Sequence, residues 1–543
     1  MNKQSLVRGT TILAVAGIVV KVMGAFFRLP LVNWIGDTGM ANYSPAYYIY
    51  AFLIILATSG LPVAISKMVS ESIAIGNHYQ AHRVFKLSTT LMCVMGFVFF
   101  ILLFCFAPQI ASLMNNPDAA LGMRVIAPAL LLVPIMAAFR GYFQGMQNMK
   151  PTAISQVIEQ LFRVCLGLGA AYYLFFKVSG EFLGESDKYV RGAAGANFGA
   201  TAGSIGGFLM ILFIYALARK SILRRVKRTS KMGSASSKRI LKRVLVIAVP
   251  ITIGAAIMPI LNLIDSALVM NRLTAAAGFS QSEAQSLYGQ LSGFVSSLIN
   301  IPQVLTQSVA VSLVPIIAAS NKTGDFEKLN DNVSLGIRMS VIIGYPCAVG
   351  LMVLAKPILL LLYPSQAESA ANAASILVIM AFGLIFLSIT QTLTGVLQGV
   401  DKQMVPVKNL LIGMAFKIVI TWILVGIPSI NVNGAAVGTV VAYIFAISLN
   451  MRAVKKYTGV KVDNNLTFVR PLISSAVMGV FAFGAYKLFM LAGHNSIATL
   501  LSVAVGGAVY VVMVFLTKSI TKDELLVLPK GDKIAKLVDK FVK

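Results

Sequence analysis

Acidic side chains are scarce in this chain: 19 Asp and Glu stand against 46 Lys and Arg among 543 residues. Charged residues of both signs together reach 12%, whereas a soluble globular chain carries about 25%. Too little polar surface is available to cover a water-soluble fold of this length, which excludes a soluble enzyme or binding domain. Strictly alternating apolar runs are also missing, which excludes a spanning β-barrel. Histidine and cysteine are few. His78 and His82 are spaced i, i+4 but lack the adjacent Glu of a zinc-protease helix and fall in an expected cytoplasmic connection. Cys93, Cys105, Cys165 and Cys347 are scattered through apolar segments without metal-ligand spacing, so buried thiols are expected. No Walker A sequence occurs, so direct ATP hydrolysis is excluded as the energy source. The chain reads as a carrier and not an enzyme. No cofactor is expected, and a membrane potential or ion gradient would supply the energy.

What the chain has in abundance is apolar length. Hydrophobic residues make up 57% of positions and the mean hydropathy is +0.82. Runs of about 20 apolar residues, enough to span a hydrocarbon core as a helix, recur from end to end. They predict an all-α polytopic membrane protein of fourteen transmembrane helices, from 10–36 and 46–74 through to 495–518. The first run lacks a small-residue cleavage site and is expected to be a mature helix rather than a signal peptide. Loop charge orients the set. Arg219, Lys220, Arg224, Arg225, Lys227, Arg228, Lys231, Lys238, Arg239, Lys242 and Arg243 crowd one connection. The opposite side carries Asp37, Asp118, Glu181, Glu185, Asp187, Glu283 and Glu368. The basic side is expected to be cytoplasmic, with both termini there, in a bacterial plasma membrane. The same asymmetry accounts for most of the +27 net charge through contact with anionic headgroups, without nucleic acid as a partner.

The chain also contains an internal repeat. Gly141-Tyr-Phe-Gln144-Gly145 precedes Pro151, and Gly395-Val-Leu-Gln398-Gly399 precedes Pro406. Gly192-Ala-Ala echoes Gly434-Ala-Ala in the same order. Two six-helix lobes in the same orientation follow, the parallel-repeat arrangement whose substrate path lies between lobes near the midplane. The expected division is an N-lobe over 1–217, a basic linker over 218–243, and a C-lobe over 244–454. Helices 13 and 14 follow as an appended pair within 455–519, and a cytoplasmic tail over 520–543 is expected to form a short surface helix.

Charges inside the spans come next, because each costs roughly 2.5–3.5 kcal/mol at a helix centre and so faces water or a partner. Lys21 and Arg28 lie in the first helix, Arg163 in the fifth and Lys417 in the eleventh. Glu159 precedes Arg163 by one turn, and Asp265 is the acid deep in the seventh helix. The bases outnumber the acids, which suits a phosphate-bearing substrate. Glu159 and Arg163 can neutralise each other at i, i+4 or both face a cavity. Arg140 and Lys67 are expected to snorkel to the surface, and Arg272 to anchor the outer end of its helix. The repeat register that puts Gly17 on Gly254 puts Arg28 on Asp265, so a contact between those two is expected when the outer side closes.

Taken together, the two repeats, the basic first helix and the repeated G-x-x-Q-G resemble the multidrug/oligosaccharidyl-lipid/polysaccharide exporter superfamily. Within it the chain is most similar to the polysaccharide-biosynthesis branch of MurJ-type lipid II flippases and the YtgP and stage V sporulation protein B group. The stretches Lys21-Val-Met-Gly24-Ala-Phe-Phe-Arg28-Leu-Pro30 and Asn262-Leu-Ile-Asp265-Ser carry the likeness. It implies export of an undecaprenyl-pyrophosphate-linked cell-wall precursor by alternating access through a basic central cavity, with Lys21 and Arg28 as pyrophosphate contacts. The branch has two arginines where this chain has Lys21 and Arg28, so further anion contacts are expected at Arg163 and Lys417. Other readings stay open: a different polysaccharide unit, a sporulation-specific precursor, a cation-coupled drug exporter, or a non-transporting scaffold for wall or spore assembly. Cell-wall synthesis enzymes are candidate partners beside the lipid substrate.

Overall fold

The computed structural model describes residues 3–178, 185–229, 233, 235–491 and 493–520. The expected surface helix in the tail, and Glu181, lie outside these residues. Every regular element among the described residues is helical. Thirteen stretches among them are long and apolar enough to cross a bilayer. The first, Val19–Ala74, runs through both of the first two expected crossings, so the fourteen-helix reading stands.

Two compact units are formed, one from 1–274 with 280–289, the other from 275–279 with 290–543. The first holds α1 (Lys3–Thr58), α2 (Leu61–Ala74), α3 (His78–Cys105), α4 (Ala107–Leu113) and α5 (Ala119–Ile126). It continues with α6 (Ala129–Gly145), α7 (Lys150–Phe176), α8 (Glu185–Arg228), α9 (Ser237–Ala275) and α10 (Gln281–Gly289). The second holds α11 (Ser296–Thr323), α12 (Phe326–Val353), α13 (Ala355–Leu362), α14 (Ala367–Asn372) and α15 (Ala374–Gly399). It ends with α16 (Met404–Val425), α17 (Asn433–Thr458), α18 (Arg470–Met490) and α19 (Asn495–Leu516).

Local chemistry explains the helix ends. Asn77 accepts a hydrogen bond from the Gln80 N–H at 2.8 Å and starts α3, while Asp325 accepts from the Lys328 N–H at 3.1 Å and starts α12. At Gly36 the backbone turns to φ 63°, ψ −165°, a conformation open chiefly to glycine, and this breaks α1 into two segments.

The units of compactness do not follow the repeat boundary. The helix α9, counted by repeat with the second lobe, packs in the first unit: the Gly60 N–H donates to Thr252 Oγ1 at 3.2 Å. The short α10 is held there by polar bonds. Ser286 donates to the buried Asp37 carboxylate at 2.6 Å, and Gln285 Nε2 donates to Asn116 at 3.2 Å and Asp118 at 2.9 Å. Equivalence by repeat and cohesion by contact are separate properties, and the chain divides differently by each.

The repeat itself is written in close backbone approaches. A Cβ on Gly141 would stand 2.7 Å from the Pro62 carbonyl oxygen, and one on Gly145 2.7 Å from Val69 Cβ. In the second unit a Cβ on Gly395 would stand 2.6 Å from the Ala310 carbonyl oxygen, and one on Gly399 2.7 Å from Ile317 Cβ. The G-x-x-Q-G motif thus packs α6 on α2 and α15 on α11 in the same way, as small residues do in membrane interiors. The neighbouring helix pair matches too. Gly195 and Gly199 of α8 pack against Ala170 and Arg163 of α7, while Gly434 and Gly438 of α17 pack against Leu424 and Lys417 of α16. Gly434 therefore corresponds to Gly195 rather than to Gly192, one helical turn away from the match read from sequence.

The appended pair is fixed to the second unit. Tyr510 of α19 donates to the Ile342 carbonyl at 2.6 Å, and Ser474 of α18 bonds Thr517 at 2.9 Å.

The α7–α8 approach gives a stability test. A side chain at Gly203 would press within 2.7 Å of the Glu159 carbonyl oxygen, whereas Gly169 has open space around its Cβ position. Gly203→Val is expected to destabilise the protein by about 1–3 kcal/mol, the usual cost of overpacking. Gly169→Ala should be neutral or stabilising by up to about 1 kcal/mol. Thermal unfolding in detergent measures both, and equal behaviour of the two variants would remove the proposed seam.

A basic, tyrosine-lined candidate site in the first unit

Three of the four predicted bases lie in the first unit. Lys21 is exposed on α1. Arg28, two turns further along, is half-buried, and its Nη1 is fully buried with no hydrogen-bond partner. Arg163 of α7 lies with its Cζ 4.9 Å from the centroid of the Tyr47 ring. Past the Gly36 break, the chain runs Tyr43-Ser-Pro-Ala-Tyr47-Tyr48-Ile-Tyr50. Tyr43 and Tyr47 stack at 5.9 Å between centroids, Tyr47 and Tyr50 follow at 6.1 Å, and Phe27 meets Tyr43 at 6.3 Å. One side of the broken α1 thus carries Arg28 and the other a tyrosine ladder, with Arg163 on the ladder's face. Sequence reasoning missed the ladder, although four tyrosines within eight residues of a spanning helix were its signal.

The acids are placed unevenly. Glu159 does not take Arg163 as its partner. Its Oε2 accepts from Arg140 Nη2 at 2.9 Å, and Arg140 Nε donates to Ser155 Oγ at 2.9 Å. Arg140 therefore does not snorkel to the surface as expected: its side chain is only 12% exposed and bridges two successive turns of α7. Lys67 is exposed. Asp265 of α9 is half-buried, and both it and Arg28 lie within electrostatic reach of the Tyr48 hydroxyl.

Lys417 belongs to the second unit, half-buried on α16. Its backbone stands where that of Arg163 stands in the first: a Cβ on Gly438 would lie 3.1 Å from the Lys417 carbonyl oxygen, and one on Gly199 2.7 Å from that of Arg163. The two bases occupy equivalent positions of the repeat.

Among the described residues no cluster of His, Cys, Asp and Glu is built to hold a metal ion. The cysteines differ from expectation. Cys93, Cys105 and Cys165 are exposed, on helix faces that also expose Val94, Phe97, Val98 and Leu166. In a spanning helix such a face meets acyl chains, and a small apolar thiol suits that surface as well as a core.

Comparison with known proteins agrees with this architecture. The family described as "Polysaccharide biosynthesis protein" matches residues 6–321, more than half of the chain. The chain belongs to that family. A second family, MatE, matches residues 292–423, and the two together place the family member in the multidrug/oligosaccharidyl-lipid/polysaccharide exporter superfamily. Among curated relatives, Lipid II flippase MurJ of Bacillus subtilis is 29% identical, covering 93% of this chain and 94% of that protein. Stage V sporulation protein B of the same organism is 28% identical over 97% and 98%, and its uncharacterized membrane protein YabM 27% over 98% and 96%. Among solved structures, a lipid II flippase MurJ in an inward closed conformation superposes with a TM-score of 0.67 at 15% identity, covering 93% and 98% of the two chains. An inward-facing multidrug MATE transporter also gives 0.67, covering 81% of this chain and 94% of that one. The chain is a multi-pass membrane protein of this fold.

The ladder generates a prediction. A desolvated cation–π contact is worth about 2 kcal/mol. Tyr47→Leu, which removes the ring beneath Arg163, is expected to lower unfolding stability by about 1–2 kcal/mol, whereas Tyr47→Phe keeps most of it. Equal loss in both variants would show that the hydroxyl, not the ring face, holds the arginine.

Proposed function

We propose that this protein is a flippase that carries an undecaprenyl-pyrophosphate-linked cell-wall precursor, lipid II, from the inner to the outer leaflet by alternating access. The observation that carries the reading is the Arg28 guanidinium, with a fully buried Nη1 that no protein group satisfies, in a unit whose Glu159 is neutralised by Arg140. A buried donor without a partner costs about 1–3 kcal/mol or more when charged, and a phosphate oxygen is the acceptor that would recover it. Guanidinium groups bind phosphate through two parallel bonds. Lys21 adds charge at the same helix, and Arg163 stands on the tyrosine ladder nearby in the chain fold. Similarity to the B. subtilis lipid II flippase supports the substrate.

Similarity to stage V sporulation protein B at almost the same identity favours a second reading, a precursor specific to sporulation. Both readings use the same pyrophosphate chemistry and differ in the sugar. A net acidic site would have suited a cationic drug instead. On the positive-inside rule the basic loops face the cytoplasm, so transport of the anion is outward.

The energy source follows from charge. A pyrophosphate lipid carries about two negative charges, and each releases about 2.3 kcal/mol per 100 mV on leaving a negative interior, or roughly 4–5 kcal/mol in all. The test is exposure of labelled lipid II on the outer surface of cells in which this chain replaces an essential lipid II flippase. Exposure is expected to fall at least about tenfold in Arg28→Gln, and to stop when the membrane potential is collapsed. Unchanged exposure in Arg28→Gln would overturn the site, and failure of the wild-type chain to expose lipid II would overturn the substrate. In the same assay Arg28→Asp with Asp265→Arg is expected to recover more activity than either change alone. Equal loss in all three would remove the expected pairing of these two residues.

A further inference from the structure

The Arg140–Glu159 pair sits one turn from Arg163 and contacts no expected substrate group, which raises the question of what it does. Glu159 and Arg163 are i and i+4 on α7, a spacing at which opposite charges normally attract. Left alone, the carboxylate would neutralise the guanidinium. It is instead held by Arg140, which bonds Glu159 and Ser155, each at 2.9 Å. Glycines of α8 complete the enclosure: a Cβ on Gly203 would lie 2.7 Å from the Glu159 carbonyl oxygen, and one on Gly207 2.9 Å from Glu159 Cβ.

The internal repeat supplies a control within the same chain. By the G-x-x-Q-G register, Arg140 corresponds to Thr394, whose hydroxyl is satisfied locally by the Thr390 carbonyl at 2.8 Å. By the packing of α7 on α8 and of α16 on α17, Arg163 corresponds to Lys417 and Glu159 to Gly413. The second unit therefore keeps the base and lacks both members of the pair. Where no acid stands one turn before the base, no arginine stands across from it.

We infer that Arg140 is a positioning residue that holds Glu159 away from Arg163, so that Arg163 keeps its positive charge for the pyrophosphate group of the substrate. The inference rests on the functional reading above. Arg140→Gln frees the carboxylate to turn to Arg163, and an added opposite charge at that range is expected to weaken anion binding roughly tenfold. Removing the acid as well restores it.

The experiment measures binding of undecaprenyl pyrophosphate to the full chain in nanodiscs of a zwitterionic lipid, with thermal unfolding recorded in parallel. Arg140→Gln is expected to bind about tenfold more weakly, Glu159→Gln to bind like wild type or better, and the double variant to return to within a few-fold of wild type. Arg140→Lys, which keeps the charge, should retain most of the affinity. A double variant as weak as Arg140→Gln would overturn the inference, since a purely structural role predicts no rescue by a second lesion. A structure of Arg140→Gln is expected to show Glu159 within ion-pair distance of Arg163, whichever lipid the protein carries. If wild type does not bind undecaprenyl pyrophosphate, the functional reading fails alone. If Glu159 stays in place in the variant, this inference fails alone.

Discussion

Desolvation sets the terms on which charge can sit inside the first unit, and the 2.9 Å bond between Arg140 and Glu159 meets those terms at its middle. A half-buried carboxylate needs a partner, because removing one member of a buried pair costs about 3–5 kcal/mol. Two bases lie within reach of Glu159, one on its own helix and one on α6. The pair forms with the α6 base because Arg140 can also bond Ser155 one turn earlier, which fixes its long side chain at both ends. That choice decides the electrostatic character of everything around it. Arg163 is left to Tyr47, with its Cζ 4.9 Å from the ring centroid, rather than to a carboxylate.

A π-face is a particular kind of partner. It stabilises a guanidinium without neutralising it, since the ring quadrupole attracts the cation while carrying no net charge. An arginine held on tyrosine therefore remains able to attract an anion, as one held on a carboxylate does not. The ladder of Tyr43, Tyr47 and Tyr50 depends in turn on the Gly36 break, past which the helix restarts with these residues stacked along one side. Backbone freedom at one glycine thus bears on the surroundings of a site residue on another helix.

Much of the fold was legible because its signals are one-dimensional. Apolar length gave the spans, and the G-x-x-Q-G stretches gave the repeat, since a residue without a side chain is needed wherever two helices touch at their backbones. Gly141 against Pro62 and Gly395 against Ala310 are that need met twice. The candidate site was legible only in part. Lys21, Arg28, Arg163 and Lys417 could be listed from their depth in the spans, but their partners could not. The i, i+4 rule sees one helix at a time and pairs Glu159 with Arg163, whereas the winning partner comes from α6. The sorting of α10 into the first unit was hidden for a similar reason: Asp37 and Asp118 read as loop charges until their bonds to Ser286 and Gln285 are seen.

Duplication helps to separate what the fold requires from what a site requires. Positions that serve packing recur as small residues, although the small residue can change sides. Gly203 of α8 lets the Glu159 backbone approach in the first unit, and in the second Gly413 of α16 lets the Ala442 backbone approach at the same 2.7 Å. The seam is conserved between the halves of the molecule while its residues are exchanged. Charge behaves differently. Arg163 and Lys417 are both basic at equivalent positions, and in each case a neighbouring glycine packs on the carbonyl oxygen, with Lys417 Cγ 3.5 Å from the Gly438 Cβ position and Arg163 Cβ 2.9 Å from that of Gly203. The acid at 159 fails this comparison and so does the arginine at 140, and they fail together. Both members of the pair are absent from the second unit, where Thr394 and Gly413 stand at the equivalent positions beside a base that both halves share.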